Sequence, residues 1–219
     1  MFTLDLFDAL PRSAGSRRRL GPGAWLLEGF ALEQVPEVLA AVSKVEARSP
    51  FRHLVTPGGF TMSVAMTNCG RLGWTSDARG YRYTPDDPLM QRPWPALPEV
   101  LLSLAQTAAE AAGYLAFEPD ACLINAYQPG ARLSLHQDKD EQDLAAPIVS
   151  VSLGLPAVFQ FGGLERTAPV ERYLLQHGDV VVWGAEDRLR FHGVAPVKAG
   201  EHPMVGGKRL NLTFRKVRP

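Results

Sequence analysis

Hydrophobic and polar positions along this chain change period from one region to the next, and each period predicts an element. A short apolar run at 24–30 predicts a strand. Leu32, Val35, Leu39, Val42 and Val45 then recur at the three-and-four spacing of an amphipathic helix. Pro36 must lie in its first turn, because proline inside a helix removes a donor and clashes with the preceding turn. Between 51 and 95 no period persists. Thr56-Pro57-Gly58-Gly59 reads as a turn and 60–68 as a strand. Trp74, Tyr81, Tyr83 and Trp94 are then scattered through Gly- and Pro-rich sequence. Helical spacing returns at 97–112, with Leu101, Leu104, Ala105 and Ala108 on one face, Pro98 in the first turn and Gly113 as the stop.

After Gly113 the texture is that of short strands. They are predicted at 121–127, 133–138, 148–155, 158–161, 172–176, 180–183, 189–194 and 209–215. Strands of this length, divided by Gly and Pro turns, predict a mainly β protein with flanking helices, its core a two-sheet roll or barrel.

Strand faces carry the candidate chemistry. In Leu133-Ser134-Leu135-His136-Gln137-Asp138-Lys139-Asp140, alternation points His136 and Asp138 one way and Leu133 and Leu135 the other. One imidazole and one carboxylate on a face are two thirds of the 2-His-1-carboxylate set that holds Fe(II) with positions open. His-x-Asp alone is more often a satisfied surface pair, so the case rests on partners elsewhere in the chain. The last strand puts Arg209, Asn211, Thr213 and Arg215 on one face and Leu210, Leu212 and Phe214 on the other. Buried guanidiniums are costly unless anions meet them, and a dicarboxylate offers two such groups. Leu123, Asn125 and Tyr127 form a matching face on 121–127.

Of the five histidines, His177 and His202 sit in turns and His53 lies far upstream. His192 lies within a strand pattern, between the His-x-Asp strand and the arginine strand, and is the best third ligand. Together these features point to Fe(II) on His136, Asp138 and His192. 2-Oxoglutarate would be clamped by Arg209, Arg215, Asn125 and Tyr127.

Composition narrows the setting. The 219 residues carry 23 Lys and Arg against 23 Asp and Glu, so no global field attracts nucleic acid or membrane. Two cysteines give no disulfide framework, no apolar run reaches a membrane span, and Asp5 and Asp8 interrupt the N-terminal apolar residues. A monomeric cytoplasmic protein is expected. Residues 1–23 read as a loosely held arm, with a docking segment at Leu4 to Phe7 and a solvated Arg17-Arg18-Arg19. Residues 24–115 read as an N-terminal extension and 116–219 as the core.

Longer motifs carry a resemblance. Asn125-Ala126-Tyr127, the 133–140 stretch, Phe159-Gln160-Phe161-Gly162-Gly163-Leu164, His177-Gly178-Asp179-Val180-Val181-Val182-Trp183 and Arg209-x-Asn211-x-x-x-Arg215 resemble the AlkB family of alkylated-DNA repair dioxygenases. So does the 56–70 stretch.

The resemblance implies a double-stranded β-helix (jelly-roll) core beneath a nucleotide-recognition lid. It implies oxidative demethylation of 1-methyladenine and 3-methylcytosine in single-stranded DNA, and in RNA, with Fe(II), O2 and 2-oxoglutarate. It makes His136, Asp138 and His192 the iron ligands, and Asn125, Tyr127, Arg209, Asn211 and Arg215 the 2-oxoglutarate site. It places Trp74, Tyr81, Asp140, Arg166, Thr56 and Met66 at the substrate. Read alone, the scattered aromatics are staples for a long loop, or a platform for stacked bases. The resemblance assigns Trp74 and Tyr81 to the platform. Phe60 and the 204–208 loop depart from the family pattern. Two alternatives remain: an iron hydroxylase of a protein or small molecule, and a nucleic-acid-binding roll without metal.

Overall fold

The computed structural model describes residues 15–218, so the segment Leu4 to Phe7 lies outside the described residues. In chain order the elements are β1 (Arg17–Gly21), β2 (Ala24–Leu27), α1 (Val35–Arg48), β3 (Arg52–Val55) and β4 (Thr61–Gly70). Next come β5 (Gly73–Asp77), β6 (Gly80–Thr84), the two-residue β7 (Asp86–Asp87) and β8 (Arg92–Pro93), and α2 (Glu99–Ala111). The remainder is β9 (Ala121–Tyr127), β10 (Leu133–His136), β11 (Ile148–Gly154), β12 (Ala157–Phe161), β13 (Glu171–Leu175), β14 (Val180–Trp183), β15 (His192–Val194) and β16 (Arg209–Arg215).

Two antiparallel sheets form the roll. The larger runs β1-β2-β14-β11-β16-β9-β4-β3 and the smaller β10-β15-β12-β13. This is the jelly-roll arrangement. Its neighbours cross over in sequence, so strands far apart in the chain share one wall.

Alternation sorts the large sheet's side chains. Cys122 and Ile124 of β9, Val149, Val151 and Leu153 of β11, and Leu210, Leu212 and Phe214 of β16 join one cluster with the buried faces of α1 and α2. The opposite face looks into the roll, where Ile148, Trp183, Phe159, Phe161 and Leu175 pack between the sheets. Each fully buried Leu or Val here contributes about 1.5–3 kcal/mol.

α1 begins at Val35 with Pro36 in its first turn, and buries Val35, Val38, Ala41, Val42 and Val45. Leu32 falls in a short 3-10 turn ahead of it and is exposed. Starting the stripe at 35 brings Val38 and Ala41 onto it in place of Leu32.

Several strands carry no sequence signal. Arg17–Gly21 is an edge strand paired with β2 rather than part of a loose arm. Its arginines remain exposed, with the Arg17 guanidinium 4.6 Å from the Trp25 ring centroid and that of Arg18 5.1 Å from Tyr173. Charges on an edge strand also block further strand addition. The aromatic region is the hairpin β5–β6, with Trp74 directly opposite Tyr83. No helix among the described residues is long and apolar enough to cross a membrane.

Candidate active site

The strands bring together His136, Asp138 and His192. β10 and β15 pair His136 with His192 in register. Their ring centroids are 4.4 Å apart. His136 Nε2 lies 3.5 Å from Asp138 Oδ1, and His192 Nε2 lies 3.8 Å from Asp138 Oδ2. The three donor atoms all fall within 4.8 Å of one another, and among the described residues no other such cluster is present.

β10 ends at His136, so Asp138 stands beyond the strand and not on its continuing face. Arg188 holds the departing chain by donating to the Asp138 carbonyl at 2.7 Å.

Each imidazole is oriented for a metal. His136 Nδ1 lies 2.8 Å from the Ser134 carbonyl and His192 Nδ1 3.0 Å from that of Arg190. A carbonyl only accepts, so each Nδ1 carries the proton and each Nε2 presents its lone pair to the cluster. Burial, helped by neighbouring His136, pushes His192 down to about 4, which keeps it neutral. Burial would lower His136 as well, but its hydrogen bond with Asp138 reverses the sign and raises it. Burial alone would raise Asp138. Arg215 and the two imidazoles instead hold its carboxyl well below the usual carboxylate range.

Beside the triad the inward face of the large sheet is polar. Arg215 donates to Asp138 Oδ2 from Nε at 2.8 Å and Nη2 at 2.6 Å. Asn211 donates to Ser150 Oγ at 2.8 Å and to the Val151 carbonyl at 3.0 Å, and accepts from the Thr213 hydroxyl at 2.9 Å. Arg209 differs. It is 1% exposed, yet only Nη2 finds a partner, Ser152 Oγ at 3.0 Å. Arg209 Nε and Nη1, and Asn125 Oδ1, have no hydrogen-bond partner among the described residues. Burial accordingly lowers the Arg209 pKa, with Tyr127 and Asp179 opposing. A buried guanidinium with free donors is suited to pair with a carboxylate.

A cavity of about 1040 Å³ connects these groups and is lined by every candidate ligand, 2-oxoglutarate and substrate residue named from the sequence. Of the substrate residues, Tyr81, Asp140 and Arg166 are exposed, Thr56 and Trp74 are half-buried, and Met66 is buried in the cavity wall. Trp74 and Tyr81 stack nearly parallel, with centroids 5.5 Å apart and an interplanar angle of 13°. The Trp74 indole N–H donates to Asp140 at 2.9 Å. Arg166 donates to the Leu135 carbonyl at 2.9 Å and lies over the Phe191 ring.

The other aromatics of this region are staples. Trp94 is buried and donates to the Thr84 carbonyl at 3.0 Å, and Tyr83 donates to Glu141 at 2.6 Å. Phe60 is 76% exposed at the cavity's edge. His177 and His202 stack on each other at 4.0 Å, and His53 meets the Met62 carbonyl, so neither they nor His53 join the triad.

Sequence reasoning missed Ser150 and Ser152, although β11 alternates them with Val149, Val151 and Leu153. It also missed Glu141 and Arg188, which no local pattern marks.

The donor set fits the group that the fold family carries: two imidazoles and an ionised carboxylate beside buried guanidiniums. The model of the 2OG-Fe(II) oxygenase superfamily matches residues 23–215. The alpha-ketoglutarate-dependent dioxygenase AlkB of Salmonella typhimurium is 60% identical over 96% of this chain and 98% of its own. The tRNA demethylase abh1 of Schizosaccharomyces pombe is 28% identical over 68% of this chain and 54% of its own. The solved structure of OsALKBH1 superposes with a TM-score of 0.79 at 29% identity, over 92% of this chain and all of that one. The chain therefore belongs to the AlkB dioxygenases of the 2OG-Fe(II) oxygenase superfamily, which work with Fe(II), 2-oxoglutarate and O2.

Proposed function

We propose that this protein demethylates 1-methyladenine and 3-methylcytosine in single-stranded DNA and RNA, releasing formaldehyde, succinate and CO2. One observation carries the reading: a single cavity joins the buried His136–Asp138–His192 triad and unpaired Arg209 to an outer platform of Trp74 and Tyr81 with an acceptor, Asp140.

Iron bound by the triad, with 2-oxoglutarate and O2, supplies the oxidation of the N-methyl carbon. The side chains have separate tasks. Arg209 pairs with a carboxylate of 2-oxoglutarate, and Asn125 and Tyr127 close the same pocket. Arg215 fixes Asp138, and Asn211 braces the wall through Ser150. Trp74 takes one face of the extruded base, a stack worth about 1–3 kcal/mol. Methylation at these ring nitrogens makes the base cationic, and the Asp140 carboxylate favours that charge. Arg166, Thr56 and Met66 shape the remaining rim.

The methyl carbon lies on a Watson–Crick edge, which a duplex hides. An unpaired strand is therefore the natural substrate, and a methyl that blocks pairing eases extrusion. The two free buried thiols, Cys69 and Cys122, suit a reducing cytoplasm.

The test is formaldehyde release from a 1-methyladenine oligonucleotide with and without 2-oxoglutarate. Release that requires 2-oxoglutarate supports the reading. Succinate formed with peptide pools, and none with the oligonucleotide, would move the protein to the hydroxylases of other substrates.

A further inference from the structure

From the metal carboxylate onward, three nearby carboxylates turn to three different partners. Asp138 takes Arg215. Asp140 accepts from the Trp74 indole at 2.9 Å. Glu141 accepts from the Tyr83 hydroxyl at 2.6 Å. Trp74 and Tyr83 are directly opposite each other in the β5–β6 hairpin. One cross-strand pair therefore hands its two polar hydrogens to two consecutive residues. Asp140 is exposed, so water competes for its bond. The Glu141 side chain is 2% exposed, and its bond has no such competitor.

Glu141 also reaches the metal ligand by two routes. Arg188 donates to Glu141 Oε2 at 3.1 Å and to the Asp138 carbonyl at 2.7 Å. Arg215 Nε lies 3.4 Å from Glu141 Oε1 and 2.8 Å from Asp138 Oδ2. Two buried guanidiniums thus bridge the same two residues, one through main chain and one through the carboxylate. On its far side Glu141 holds the hairpin that carries Trp74 and Tyr81. If the hairpin moves away, a buried carboxylate loses a donor in a place where water does not replace it.

We propose that Glu141 is a positioning residue that ties the Trp74–Tyr83 hairpin to Asp138, so that the filled metal site and the seated base platform favour each other. The inference rests on the demethylase reading and deepens it. Coupling of this kind is reciprocal: whatever factor the metal site gives to oligonucleotide affinity, the oligonucleotide returns.

The experiment uses the full chain with Mn(II) in place of iron, so that no turnover occurs. The Kd for a 1-methyladenine oligonucleotide is measured with and without Mn(II) plus 2-oxoglutarate in the parent, Tyr83→Phe and Glu141→Gln. Co(II) absorption is recorded as the same oligonucleotide is added. The parent is expected to gain about tenfold in affinity when the metal site is filled, a typical coupling factor, and to shift its Co(II) spectrum on binding. Both effects should fall to near nothing in the variants. Tyr173→Phe, on the far strand β13, should keep both.

If Glu141→Gln does not fold, Tyr83→Phe decides, because it removes one hydroxyl and leaves both guanidiniums paired. A parental affinity ratio and spectral shift in Tyr83→Phe would overturn the proposal, as would the absence of any ratio in a parent that turns over. A parent that releases no formaldehyde from this oligonucleotide would instead sink the demethylase reading.

Discussion

Arg209→Met should make the ligand-free protein more stable and the enzyme worse. Arg209 is 1% exposed, and its Nε and Nη1 have no hydrogen-bond partner among the described residues. Burying an ion without a partner carries an effective penalty of several kcal/mol. The bond to Ser152 Oγ at 3.0 Å returns about 1.5–3 kcal/mol. The Tyr127 ring, 5.8 Å away and buried with it, returns about 2 more. A net cost of up to about 1 kcal/mol remains. Methionine fills similar space without charge, so the ligand-free melting temperature should rise by up to about 2–4 °C. With 2-oxoglutarate the sign reverses. Removing one partner of a buried, hydrogen-bonded charge pair costs about 2–5 kcal/mol, at least about 30-fold in affinity.

Calorimetry on the two proteins, each with and without Mn(II) and 2-oxoglutarate, measures both halves. Ligand at about 100 times the parent's Kd should add about 2.7 kcal/mol to the parent and at most about 0.9 kcal/mol to the variant, so the order of melting temperatures should cross. A variant that melts below the parent without ligand, or that keeps parental 2-oxoglutarate affinity, refutes the reasoning.

His192→Ala should abolish 2-oxoglutarate turnover and Mn(II) binding while circular dichroism stays parental; formaldehyde at the parental rate would remove His192 from the ligand set. Trp74→Ala should weaken 1-methyladenine oligonucleotide binding by about 5- to 150-fold, the worth of one stack, with Mn(II) affinity unchanged. An unchanged oligonucleotide Kd would return Trp74 to the staples. Asp87 gives a pH prediction. Burial would raise its carboxyl, but Arg52, Ser49 and the Leu89 and Met90 amides hold it at about 2. A carboxyl lowered in the folded state stabilises above its unfolded pKa, and that stability is lost as pH falls from about 4 to about 2. Urea unfolding should lose about 2 kcal/mol through that window, and Asp87→Asn should flatten the loss. Equal pH slopes in the two proteins would sink this account.

How much the sequence disclosed depends on the reach of each signal. β16 lies where the alternation of its own residues puts it, and β9 and β14 where short, largely apolar runs put them. His192 was legible because it lies in a strand pattern between the His-x-Asp strand and the arginine strand. The parity of Ser150 and Ser152 was available from the same alternation. The edge strand 17–21 was not legible, because three arginines in a row have no two-residue period. The hairpin was hidden for another reason. Whether Trp74, Tyr81, Tyr83 and Trp94 are staples or platform depends on pairing across the hairpin and on what lies beneath it. Tyr83 and Glu141 are bonded across a gap of 58 residues, and no local pattern encodes such a bond.

β16 shows why the chemistry sits where the fold looks least comfortable. Its outward face, Leu210, Leu212 and Phe214, repeats the rule that holds the whole sheet to its helices. Its inward face breaks that rule with four buried polar side chains, and a sequence selected for stability alone would not carry them. Three are offset internally: Arg215 by Asp138, Asn211 by Ser150 and Val151, and Thr213 by Asn211. Those bonds make the wall rigid, and in a rigid wall the one guanidinium left over cannot relieve itself by turning to a neighbour. Beyond Ser152 and the Tyr127 ring, Nε and Nη1 of Arg209 have no hydrogen-bond partner among the described residues. The least balanced group on the most regular strand of the protein is thus where the proposed anion, entering beside the triad, would pair.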